Sequence, residues 1–152
     1  MPKLRASHAT QETLPKLCAV ADVLLTTLDA LAEKGHEVDD RPRAFATVLL
    51  RWASDEASAS ELAVAARALE AIDWRAQPPE ARATPSGQAL HAANGLRSWR
   101  AQCMKFPTHT AQAIPRCAEM IVAVWRDPDV SPLDPAAMAG VVRFGHWARF
   151  SN

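Results

Sequence analysis

The stretch LPKLCAVADVLLTTLDALAEKG, Leu14 to Gly35, decides the fold class. Leu14, Leu17, Ala21, Leu24, Leu28 and Leu31 recur at alternating steps of three and four, and Cys18, Leu25 and Ala32 widen the stripe. That period belongs to one face of an α-helix, because a strand alternates every second residue. Lys16, Asp22, Thr27, Asp29 and Glu33 are expected on the other faces. Gly35 stands where a left-handed cap would stop the helix after Lys34.

Shorter helices that can pack on this one follow in order. Asp40 or Arg41 is expected to cap a second helix, with Pro42 in the first turn, where a missing N–H does no harm. Its buried stripe reads Phe45, Val48, Leu49, Trp52 and Ala53. Ser58 and Glu61 have the spacing of a capping box, and a third helix is predicted from there to about Trp74, burying Leu62, Ala65, Ala66, Leu69 and Ile72. Gln77-Pro78-Pro79-Glu80 breaks it, making residues 75–84 the candidate hinge. Helices on both sides need partners for their stripes, so a single domain over residues 1–152 is expected.

Thr84 and Pro85 open a fourth helix reaching about Phe106, with Ala89, Ala92, Ala93, Leu96, Trp99, Cys103 and Phe106 inward. A fifth spans roughly Thr110 to Arg126 with Ile114, Cys117, Ala118, Ile121, Val124 and Trp125 inward, Pro115 marking its true start or a kink. Asp134-Pro135 starts a sixth, to about Phe150. The fold class expected is therefore all-α, a compact bundle of about six mostly antiparallel helices. Trp52, Trp74, Trp99, Trp125 and Trp147 fall 22 to 26 residues apart, but their flanking residues do not match. They read as anchors near helix ends rather than as a repeat.

Composition narrows the function classes. The 17 basic and 17 acidic side chains cancel, so no global field draws the chain to nucleic acid or to a membrane surface. The halves differ, however: 9 basic against 13 acidic residues up to position 80, then 8 against 4. The longest uninterrupted apolar run, Met120 to Trp125, is far too short for a membrane span. MPKLRASHATQE, the first twelve residues, lacks the apolar region of a secretory signal. Cys18, Cys103 and Cys117 fit no disulfide framework and read as reduced, buried thiols. A cytoplasmic protein with no membrane partner is expected.

Motifs for chemistry are missing. His91, Cys103, His109 and Cys117 match none of the paired spacings that bring zinc ligands together, so neither a metal nor another cofactor is expected. The chain contains no G-x-S-x-G and no phosphate-cradling glycine loop, having only 5 glycines. Asp39-Asp40 and Asp55-Glu56 lie in inter-helix connections, where acids stabilise helix N-termini. No catalytic residue is assigned, and a non-enzyme is expected.

Ala81 to Ala118 stands apart, because its 38 residues contain no Asp or Glu. Arg82, Arg97, Arg100, Lys105 and Arg116 are the candidate nucleic-acid-binding residues there, since no nearby carboxylate repels a phosphate. On the fourth helix Arg97 and Arg100 take one shoulder of the apolar face. Lys105, His91, Asn94, Ser98 and Gln102 take the solvent side. The competing account is that these bases pair with the acidic first half of the same chain.

The terminal helix is apolar nearly all round, and Arg143, Phe144, Trp147, Arg149 and Phe150 form the candidate partner interface. Arginine mixed with aromatics suits a contact between proteins. Together these features predict a non-catalytic subunit of a larger protein or ribonucleoprotein assembly. It would contact RNA or single-stranded DNA through the basic helix and other protein subunits through the terminal one. The alternative is an adaptor or immunity-type module without nucleic acid, using Glu37 to Asp40 or the aromatic terminal helix; a third reading is an enzyme whose site is assembled from distant residues.

Overall fold

The computed structural model describes residues 8–105 and 119–125, with side chains over 18–98 and 119–125. Helix α1 spans His8–Glu33, α2 Asp40–Ala53, α3 Ala59–Glu70, α4 Pro79–Arg82 and α5 Pro85–Lys105. A single 3-10 turn, Trp74–Ala76, stands between α3 and α4, and residues 119–125 are helical. No strand occurs among the described residues, and the protein is an all-α helical bundle. None of the described helices is long and apolar enough to cross a membrane. The segment expected to form the terminal helix, with its partner-interface candidates, lies outside the described residues, as does Pro115.

Helix α1 organises the core by packing against both α2 and α5, while α2 packs in turn on α3 and α5. Its seam holds: Ala21, Leu24, Leu28 and Leu31 are buried, and Cys18 and Leu25 are half-buried. Full burial of a leucine contributes about 1.5–3 kcal/mol, so a seam of this length dominates the local energetics. The helix also begins six residues earlier than the seam and runs through Pro15. That proline lacks an N–H for the ladder, which costs one intrahelical hydrogen bond.

Two side chains of α1 depart from their expected faces. Ala32 is exposed. Thr27, expected on a polar face, is fully buried at 0% exposure. Because partners enclose α1 on several sides, the buried arc widens to include Val20, Thr27 and Ala30. The Thr27 hydroxyl donates to the Val23 carbonyl oxygen at 2.8 Å and accepts from the Trp125 indole Nε1–H at 2.9 Å. Trp125 is itself 1% exposed, and Ile121 and Val124 beside it are buried as expected.

The ends of the helices follow local chemistry. Gly35 has φ +86°; its N–H reaches the Ala32 carbonyl at 3.0 Å, and the His36 N–H reaches that of Leu31 at 3.0 Å. This is a Schellman cap, and it satisfies carbonyls that the helix end leaves over. Asp39, rather than Asp40 or Arg41, caps α2: its carboxylate accepts the Arg41 N–H at 2.9 Å. Hydrogen bonds from the Arg41 guanidinium hold the Asp39 carboxyl below the usual carboxylate range. Phe45, Leu49 and Trp52 are buried and Val48 and Ala53 half-buried, so the predicted stripe of α2 is present.

Asp55 corrects a second expectation. Its backbone serves the C-terminus of α2, while Ser58 caps α3. With φ +63° it occupies the left-handed position, and the Glu56 N–H returns to the Arg51 carbonyl at 2.7 Å. The capping box of α3 is present in both directions: Glu61 N–H to Ser58 Oγ at 3.1 Å, and Ser58 N–H to the Glu61 carboxylate at 2.8 Å. Helix α3 stops at Glu70, short of Trp74. The Asp73 carboxylate accepts from the N–H groups of Arg75 and Ala76, at 3.1 and 3.3 Å, which favours the tight turn over a continued helix.

Two stability changes follow. Thr27→Val leaves the buried Trp125 N–H without an acceptor, and urea unfolding should show a loss of about 1–3 kcal/mol. Adding Trp125→Phe should then cost less than it does in the wild-type background, because the two side chains share one bond. Gly35→Ala has open space for its Cβ. It still forces an alanine to positive φ, and a loss of about 1 kcal/mol is expected by the same measurement.

Candidate functional site

The 3-10 turn, α4 and the first turns of α5 fold into one corner. Thr84 caps α5 as expected, its Oγ1 accepting the Gly87 N–H at 3.0 Å and donating to the Ala81 carbonyl at 2.7 Å. Pro79 begins α4 in the first helical position, where its missing N–H is not needed. The Trp74 indole Nε1–H donates to the Gly87 carbonyl oxygen at 3.0 Å. Gly87 is required here for space. A Cβ at that position would lie 2.2 Å from the Ala81 carbonyl oxygen and 2.9 Å from Arg82 Cα. Both obstacles are backbone, so neither can swing aside.

Three side chains meet at this corner. The Trp74 indole stacks on the His91 imidazole with centroids 3.9 Å apart and planes inclined by 25°. The Arg82 guanidinium carbon lies 5.4 Å from the centre of the same indole, within cation–π range. His91, expected on the solvent side, is half-buried under this contact, and burial lowers its pKa below the ordinary value of 6.5. Asn94, from the same expected face, is also half-buried and donates to the Leu90 carbonyl at 3.1 Å. Ser98 is exposed. Opposite them, Ala89, Ala92, Ala93 and Leu96 are buried against the rest of the bundle.

Of the candidate nucleic-acid-binding residues, Arg82 and Arg97 have described side chains. Arg82 is half-buried, and among the described residues no carboxylate lies within ion-pair distance of it. Its Nε has no hydrogen-bond partner among them either. Arg97 extends toward α3, where its guanidinium approaches the Glu70 carboxylate at 3.9 Å, and its own Nε is likewise without a partner there. Arg82 and Arg97 therefore reach toward different neighbours. The side chains of Arg100 and Lys105, and all of Arg116, lie outside the described residues.

Two carboxylates of the acidic half pair with bases of the same half. Asp29 pairs with Arg43, joining α1 to α2, and Asp39 pairs with Arg41 at 2.7 Å. These pairs are exposed, so each contributes little to stability. Their consequence is that those two carboxylates already have basic partners outside the segment that follows residue 80.

Among the described residues no group of three metal-ligating side chains is assembled. Comparison with protein-family models, with curated proteins and with solved structures finds no match. Helical spacing does not predict the Trp74–His91 contact. Its one signal in the sequence is that two aromatic rings flank a proline-rich break, which folds back on the next helix.

Gly87→Ala tests the corner. Helix propensity alone would favour alanine by about 1 kcal/mol. The backbone clash should reverse the sign, giving a net loss of about 1–3 kcal/mol in urea unfolding together with loss of the Trp74 indole N–H shift of the folded state.

Proposed function

We propose that the protein is a non-catalytic subunit of a larger assembly. In this reading its basic segment contacts the backbone of RNA or single-stranded DNA, and its terminal helix contacts neighbouring protein subunits. The observation that supports it best is the condition of Arg82. It belongs to a 38-residue stretch free of carboxylates and has no carboxylate partner among the described residues. It is held beside the Trp74 indole, so less side-chain freedom would be lost on meeting a phosphate.

Arg97 supports the same reading less directly. Its Glu70 partner is 65% exposed and 3.9 Å away, at the limit of an ion pair. A phosphate approaching Arg97 at hydrogen-bond distance would compete well with so loose a contact. Binding of this kind reads backbone charge, and no recognition helix or base-stacking motif calls for sequence preference.

Fluorescence anisotropy of labelled single-stranded RNA, single-stranded DNA and duplex across a salt series is the test. Affinity should fall log-linearly with salt, and Arg82→Ala, Arg97→Ala and Arg100→Ala should each reduce the slope by roughly 0.7–0.9. No binding at low salt would overturn direct contact with nucleic acid. A slope unchanged in all three variants would move the contact elsewhere on the chain.

A further inference from the structure

Residues 71–84 are attached to the bundle by few contacts. None of them is fully buried: Ile72, Trp74, Ala81 and Arg82 are half-buried and the others exposed. Ile72 packs on the core and Thr84 stays with α5 as its cap; between them the chain meets α5 through the Trp74 bond to Gly87, the close passage of α4 backbone over Gly87, and the Trp74–His91 stack. Segments with so little buried surface open at a lower free energy than the core does.

We propose that the Trp74–Arg82–His91 corner is a proton-operated latch, in which a proton taken up by His91 frees residues 72–82 from α5. A neutral imidazole is well suited to stacking on the indole in a half-dry contact. A protonated one carries charge into that contact, where the indole already faces the Arg82 cation. Among the described residues no carboxylate lies within ion-pair distance of the His91 ring.

The charged groups of the surrounding elements are otherwise placed. Asp73 is engaged by the N–H groups of the 3-10 turn, and Arg75 and Glu80 are exposed. Glu70 of α3 faces Arg97. On α1, Asp22 is exposed and Asp29 is tied to Arg43. Lifting the cover hydrates the half-buried ring fully once it is charged. The cover is the connection between α3 and α5, with Trp74 before the Pro78-Pro79 break and Arg82 after it.

The direction with pH follows from burial. The folded-state pKa of His91 lies below 6.5. The closed corner therefore has its full stability above about pH 6.5, and loses it as pH falls from there through the folded value. The latch is independent of the nucleic-acid reading, because its test measures conformation alone.

NMR on the full chain decides it, following the His91 ring, the Trp74 indole N–H and backbone amide exchange between pH 7 and pH 5. The ring and the indole should move with one shared midpoint below 6.5. Amides of residues 72–82 should lose about tenfold in protection, corrected for intrinsic rates, while those of α1 and α2 keep theirs. His91→Gln should remove the step. Separate midpoints for ring and indole, or a step that persists in His91→Gln, would overturn the latch. Amides of residues 72–82 that keep their protection through the His91 titration would overturn it too, and if that variant does not fold, this protection in the wild-type chain decides: its loss with the shared midpoint supports the latch.

Discussion

A hydroxyl at the centre of an apolar core sets the geometry around it. Thr27 is fully buried, and so is the indole of Trp125 that it accepts from. Buried donors and acceptors are costly when unpaired, so these two must meet or both destabilise the core. Apolar contacts are less directional than a hydrogen bond, and one of 2.9 Å has a single register. Residues 98 apart in sequence are thereby fixed in rotation and height against each other. The apolar contacts supply most of the energy, and this bond selects one arrangement among those that would bury the same area.

The fold is legible where periodicity and capping chemistry carry it. Leu24, Leu28 and Leu31 on α1, Phe45 and Leu49 on α2, and Ala89, Ala93 and Leu96 on α5 are buried as their spacing predicts. The Ser58–Glu61 box and the Thr84 cap are present because they need only residues three apart. Spacing misplaces Thr27 for a physical reason: a helix enclosed on several sides buries more than one stripe, and a hydroxyl becomes tolerable once a distant donor reaches it. Nothing near Thr27 in sequence announces Trp125. Asp73 and Asp55 show the opposite limit, since an aspartate can cap either end of an element and the pattern alone does not say which.

The corner around Gly87 is less legible than the helices it joins. Thr84-Pro85 fixes where α5 starts, but the direction taken by the residues before it depends on tertiary contact. Gly87 permits the backbones of α4 and α5 to approach, and only then do Trp74, Arg82 and His91 share one surface. Wheel geometry assigns His91 and Asn94 to solvent because it treats the helix as alone. A folded-back connection converts that face into a half-buried one, and its basic residues acquire neighbours that no charge count reveals.

The paired prolines at the start of α4 also limit how far the chain can stray when it is detached. Gln77 and Pro78 are extended, with ψ 144° and 149°, and each proline ring fixes φ at its own position. Neither proline can donate a hydrogen bond, so the segment cannot be absorbed as extra turns at the end of α3. A detached conformation is therefore drawn from a narrow ensemble, and little entropy is lost when it docks again. Stiffness in the connection makes reattachment quick and to the same place, which a glycine-rich link of equal length would not do.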